Sequence, residues 1–441
     1  MTEAAAPESV VRRWCLIGTC LSALFVSYVG VVPFRFELPP GTSVLDAFFN
    51  RAELDITSRA NFLANAVLAV PIGFFGAGAF VRRRTGASFA AALGSLLVGS
   101  AALSLSIEIL QTLTPTRTPS MSDVVAQVLG AVAGVAGWLS VRREVYAWAA
   151  GRSPSDSIGP LQTGLWVYAA CRSLALLLPL DVTVSLSTLV EKYHEGRIVI
   201  DPRHTLGTGD VMQAGAADIV LNAPIGVLAY LVATRLTGRR SVLVAVAVGA
   251  AFAVAMELAQ VIVVSRSADV ADIITGTIGV VVGAVAGAAF LDVRGAREAI
   301  RPVRYLAAAG ALVSLATYAV YNLSPFDFTR PPDVAARVSM LFQIPFYSYY
   351  DGPELQALDG AVLKILLGVP AGLFCGLILV SALKVYPRAV TAAALLAGAM
   401  FFAVVEAGQV LLPSRYPDNT DVVLATFGMW AGLAAIRFCS R

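Results

Sequence analysis

Glu108, Gln111, Arg117 and Asp123 form a polar string among apolar neighbours. The same string returns as Glu257, Gln260, Arg266 and Asp272, and again as Glu406, Gln409, Arg415 and Asp421. Each member recurs at an interval of 149 residues, so the chain is read as a triplicated unit that keeps one charged constellation per copy. Glu and Gln three residues apart share a helix face, one turn from each other. A carboxylate inside a membrane span costs about 2.5–3.5 kcal/mol and therefore faces the bundle interior with a partner. The arginine fork has the reach to return to the Glu or Asp, or to bind a phosphate or carboxylate. The Asp opening the next helix is placed to cap it and to meet its positive dipole end. Two chemistries fit: a closed clasp between helices, and a polar site for a headgroup or a proton path.

The elements that hold these residues follow from composition. The 441 residues are 57% hydrophobic and 14% charged, with a mean hydropathy of +0.75, which excludes an ordinary soluble domain. Stretches of about 20 apolar residues cross a bilayer as helices. Twelve are predicted, four per copy and named a to d. They fall at 14–33, 60–80, 87–112 and 122–141, at 162–180, 217–235, 241–264 and 270–291, and at 303–323, 359–383, 389–412 and 420–437. The predicted fold is all-α and polytopic, with copies at 1–150, 151–300 and 301–441. An even number of spans makes the copies parallel, related by an axis along the membrane normal rather than inverted. The first span follows Arg12 and Arg13 and is read as retained, since Pro33-Phe34-Arg35-Phe36 stands where a small-residue cleavage site would be.

Most of the 32 Lys and Arg, including Arg82, Arg83, Arg84, Arg239, Arg240, Arg294, Arg301 and Arg388, fall on the side of the termini and the short b–c loops. The positive-inside rule then places both termini in the cytoplasm and the a–b and c–d loops outside. The string thus lies toward the outer face, where three carboxylates imply a polar outward cavity. Other landmarks repeat. Pro33, Pro179 and Pro325 close helix a, Pro71, Pro224 and Pro370 mark helix b, and Gly130/Gly134, Gly279/Gly283 and Gly428/Gly432 give helix d a small face for close packing.

The copies are unequal. Six residues before the helix-b proline stand Asn65, Asp218 and Lys364, Arg172 lies within helix a of the second copy alone, and Asp269 and Asp418 correspond to Ser120. Arg172 can meet Asp218 or Glu257, and Lys364 can meet Glu406. An asymmetric ligand site is the other reading of these groups. The outer loops, 34–58, 181–216 and 324–358, are too polar to span, and Phe342, Phe346, Tyr347, Tyr349 and Tyr350 suit the third to the headgroup zone as an anchor or lid. The five cysteines have no paired spacing, and His194 and His204 lack the company a metal site needs, so neither disulfides nor metal nor another cofactor are expected. The sequence has no phosphate-binding Gly-Lys-Ser/Thr loop, nucleophile elbow or zinc-helix motif, and its basic residues do not point to nucleic acid.

A membrane-embedded Glu-x-x-Gln, a loop Arg, an Asp opening the last helix and a Gly seven residues later resemble the VanZ-like family, whose namesake is associated with teicoplanin resistance. The resemblance covers the chain as three tandem copies and is fullest in Arg266-x-x-Asp269-x-x-Asp272 and Arg415-x-x-Asp418-x-x-Asp421. The family often has Asn four residues after the last Asp; here those positions are Gln127, Gly276 and Ala425, and Asn65 alone keeps the Asn of helix b. The resemblance implies a bacterial envelope protein of the plasma membrane linked to glycopeptide susceptibility. Its expected partners are membrane lipids, lipid-linked envelope precursors or glycopeptides, through an anionic headgroup in the outer cavity. A proton-coupled transporter using Glu108, Glu257 and Glu406, an intramembrane enzyme acting on a lipid headgroup, and a structural partner of other envelope proteins stay open beside it.

Overall fold

The computed structural model describes residues 5–37, 43–53, 59–81, 86–114, 117–150, 159–178, 181–203, 209–295, 300–351 and 354–439. Arg82, Arg83, Arg84, Pro179 and His204 lie outside them.

The first copy runs α1 (Ala5–Val31), α2 (Val44–Arg51), α3 (Arg59–Gly76, continued by a π-helical turn to Val81), α4 (Gly86–Gln111) and α5 (Met121–Ala149). The second runs α6 (Gly159–Leu177), α7 (Leu186–His194), α8 (Gly209–Thr237), α9 (Val242–Ile262) and α10 (Val270–Gly295). The third runs α11 (Ile300–Leu323), α12 (Val334–Met340), α13 (Tyr347–Asp351), α14 (Glu354–Ile378), α15 (Val380–Val385), α16 (Pro387–Gln409) and α17 (Asn419–Cys439). Eleven of these helices are long and apolar enough to cross a membrane, and the twelfth predicted span falls on α6, whose apolar stretch Leu165–Leu177 is shorter. The chain is an all-α, multi-pass membrane protein.

Helix b packs on helix d in each copy, and glycine is the reason. A Cβ at Gly130 would fall on the carbonyl of Ala66, one at Gly283 on Ala223 and one at Gly428 on Ile365, so only hydrogen at these positions lets the two backbones meet. The helix-b prolines Pro71, Pro224 and Pro370 are carried inside the helices. After α1 and after α11 the chain turns through a residue of positive φ, Phe34 and Phe326, which delivers the a–b connection.

The chain forms two compact units, Met1–Ser157 with Phe346–Leu358, and Ile158–Pro345 with Asp359–Arg441. In the first, Cys15, Trp138 and Tyr146 share a core, and Phe346 packs its ring against Phe25 and Tyr28 of α1. In the second, α11 packs on α8 and α17 on α6, with Leu221, Val280, Tyr318 and Phe402 in one continuous core.

The a–b connections carry more structure than their polarity indicates. Each holds a short helix, α2, α7 or α12, and the first two also pair backbone with the residue just before helix d. Glu53 bridges Ser120, and β1 (Ile198–Val199) runs parallel to β2 (Ala268–Asp269).

Candidate functional site

The repeated Glu residues face inward at the end of helix c. Glu108, Glu257 and Glu406 are 1%, 8% and 0% exposed. Each accepts one backbone N–H from the c–d connection: Glu108 from Ser120 at 2.7 Å, Glu257 from Asp269 at 2.9 Å and Glu406 from Asp418 at 3.3 Å. These donors precede helix d, where backbone N–H groups lack a partner within a helix, and the carboxylate satisfies one while closing the loop. A bond from the Glu of helix c to the residue before helix d therefore recurs in all three copies, without the Arg that the closed network would include. One oxygen of each carboxylate is thus committed to its own loop.

Gln and Arg extend the clasp to helix a. Gln111 Nε2 donates to Gly30 O at 2.9 Å and Gln260 Nε2 to Leu176 O at 3.0 Å, whereas Gln409 turns to Glu406 Oε1 at 3.0 Å. Arg266 donates through Nε to Leu178 O and through Nη2 to Ala175 O at 2.9 Å, and it meets the Asp359 carboxylate at 3.0 Å. Arg415 does the same with Ser324 O at 2.8 Å and Tyr321 O at 3.3 Å. The expected return of these arginines to the string's own Glu or Asp is thus corrected. The last carbonyls of a helix are unsatisfied and carry its negative dipole end, so they compete well for a guanidinium.

The helix-d cap is also displaced from the predicted residue. The side chain of Asp269 accepts from Ala271 N at 2.7 Å, that of Asp418 from Thr420 N at 2.8 Å and that of Ser120 from Ser122 N at 3.2 Å. Asp123, Asp272 and Asp421 lie one turn further on, inside the helix. In the first and third copies this Asp is met from helix b.

That meeting is where the copies diverge. In the first, Asn61 Nδ2 donates to both oxygens of Asp123 at 2.9 and 3.0 Å, and Gln127 Nε2 donates to Asn65 Oδ1 at 3.1 Å. In the second, Arg172 pairs with Asp218, the first of its two predicted partners, and Asp218 also accepts from Thr275 Oγ1 at 3.0 Å. In the third, Lys364 pairs with Asp421 and donates to Asn322 Oδ1, which replaces the predicted pairing with Glu406. Asp421 sits across the b–d contact from Lys364, whereas Glu406 is already taken by its own c–d loop.

Sequence reasoning missed three cations. Arg51, Lys192 and Arg337 project from the a–b helices onto backbone carbonyls at and just past the end of helix c. Arg51 donates to Thr112 O at 3.0 Å and Arg117 O at 2.8 Å. Lys192 donates to Gln260 O at 2.6 Å, Val261 O at 3.1 Å and Val263 O at 2.7 Å. Arg337 reaches Gln409 O at 3.1 Å, Val410 O at 3.0 Å, Leu412 O at 2.5 Å and Arg415 O. Burial, with the neighbouring Arg197 guanidinium, holds the Lys192 ammonium below the usual lysine range. The signal was hidden because the a–b connections differ in length, so these residues share no common interval.

The VanZ/LLP1 family model matches this chain three times, over residues 15–142, 165–291 and 303–440. Comparison with curated proteins and with solved structures finds no match. The three matches cover most of the chain and enclose every member of the three strings. The chain belongs to the VanZ/LLP1 family, as three tandem copies of it.

Proposed function

We propose that the protein lies in the plasma membrane of a bacterial cell envelope, both termini cytoplasmic, and binds an anionic lipid or lipid-linked glycan headgroup at the outer ends of its spans. A contribution to tolerance of glycopeptides such as teicoplanin follows from that reading.

One observation supports it above the others. Arg415 is half-buried at the c–d connection, held by Nε and Nη2 on the carbonyls of α11, and has no carboxylate partner among the described residues. Its Nη1 donors are oriented without being consumed, which is the preorganised fork that suits a phosphate. Arg266 is oriented in the same way and is partly neutralised by Asp359.

Mass spectrometry of lipids retained by the purified protein tests this. Arg415→Gln is expected to lower retention of anionic lipid about tenfold, the worth of one charge-assisted contact, and Arg415→Lys, which keeps the charge but not the oriented fork, by a smaller factor. A folded Arg415→Gln protein with the parent's lipid profile and unchanged teicoplanin tolerance in cells would sink the proposal.

Burial of Glu108, Glu257 and Glu406 within the spans favours proton-coupled transport as a second reading. Flux into proteoliposomes that ignores a pH gradient would remove it.

A further inference from the structure

Each a–b helix combines an exposed apolar stripe with a cation turned inward. A short helix on a water-exposed surface ordinarily turns its apolar side in and its charge out. In α2, Ala47 and Phe48 are buried, yet Leu45 and Phe49 are four residues apart and exposed, Phe49 by 76%, while Arg51 reaches inward to the end of α4. In α7, Leu186, Val190 and Tyr193 form an exposed apolar stripe, Leu186 by 75%, while Lys192, two residues and about 200° round from Val190, is completely buried on the end of α9. In α12, Val338 and, just past the helix, Phe342 at 82% are exposed, while Arg337 is buried on the end of α16.

The level of these helices is fixed by what the cations touch. Each bonds to carbonyls at or just past the end of an apolar span, so each short helix lies beside the point where that span leaves the hydrocarbon. An apolar stripe at that depth continues the lipid-facing surface of the spans. On α7 the polar positions Ser187 and Glu191 are exposed beside the stripe, so the helix has a lipid-facing and a water-facing edge.

We propose that α2, α7 and α12 are interfacial helices. Each lies in the headgroup–acyl boundary with its apolar stripe in the lipid, pinned to the bundle by one inward cation. The occupant of the exposed stripe is the acyl region of the leaflet. The helix thereby brings the a–b loop down onto the bundle at the level of the half-buried string arginines. This inference rests on the exposure pattern and the carbonyl contacts and does not require the headgroup proposal above.

Nitroxide labels placed singly at Phe49, Val190 and Phe342 of the full chain, with its native cysteines replaced, report depth in phosphatidylcholine–phosphatidylglycerol vesicles. Accessibility to oxygen should exceed accessibility to a water-soluble nickel chelate several-fold at all three sites, with a depth of roughly 5–10 Å below the phosphates. A label at Ser187 should reverse that ratio. Lys192→Ala should raise nickel accessibility at Val190, and Lys192→Arg should restore the parent value. Greater access to nickel than to oxygen at the three stripe positions would overturn the proposal by placing them in water. Low access to both probes would overturn it by showing that protein, a second copy of this chain included, covers the stripe.

Discussion

In the second copy the cation of the polar junction stands on helix a and its carboxylate on helix b, Arg172 to Asp218. In the third the cation stands on helix b and its carboxylate on helix d, Lys364 to Asp421. Positions 218 and 364 correspond, so one site on helix b has reversed its charge while the junction stays paired. The first copy fills the same place with amides, Asn61, Asn65 and Gln127 around Asp123. The bond from Glu to the backbone before helix d recurs in all three copies. A clasp onto a backbone N–H needs a side-chain acceptor within reach of that one atom, here at 2.7–3.3 Å, so it tolerates little change of residue type. A buried junction needs only that its charges be answered nearby, which several residue sets achieve. Chemistry that differs between copies therefore belongs to the junction, and chemistry that recurs belongs to the clasp.

The largest effect expected is at the charged junctions. Arg172→Met strands Asp218, and Lys364→Met strands Asp421, each a carboxylate in the bundle, for a loss of about 3–5 kcal/mol. Asn65→Ala removes amide contacts alone and costs about 1 kcal/mol. Denaturant or thermal unfolding in detergent measures both, and equal losses at Asn65 and Lys364 would break the contrast between copies. The clasp ranks next. Glu108→Ala, Glu257→Ala and Glu406→Ala should each lose about 1.5–3 kcal/mol, the range for a hydrogen bond to a charged group, with Gln milder because it keeps an acceptor. Losses that differ by several kcal/mol among the three would show that the clasps are not equivalent. The cap is the smallest term. Asp269→Ala should cost about 1 kcal/mol and expose the first turn of α10 to hydrogen exchange, whereas Asp272→Ala leaves that turn protected. The opposite result would return the capping role to the residue that the sequence first indicated.

Much of the fold was legible because its signals are local. Spans show as apolar length, the triplication as a fixed interval, and the b–d contacts as glycines four apart, since close backbone approach leaves few residue choices. Within the string, the types and the places were legible and several partners were not. Asp123, Asp272 and Asp421 looked like caps because each stands near the start of a helix. A shift of one turn hands that role to Ser120, Asp269 and Asp418. Arg266 and Arg415 looked bound for a carboxylate because side-chain charges are visible in a sequence and helix-end carbonyls are not. Arg51, Lys192 and Arg337 escaped notice for both reasons: their acceptors are backbone atoms and their loops have no common length.

The sequence by itself determined that this is a membrane protein of three tandem copies, with an acid at the end of each helix c and a small face on each helix d. Those features follow from how a span must satisfy its own backbone in lipid and from how near two helices can come. Only the tertiary structure decided which acceptor each long cationic side chain takes. Lys364 has two carboxylates in prospect, Asp421 and Glu406, and Arg266 has carbonyls and acids. The acceptor taken is the one that the packing of the neighbouring helices brings within reach, even where another donor already shares it, as at Asp218 and the Gln260 carbonyl.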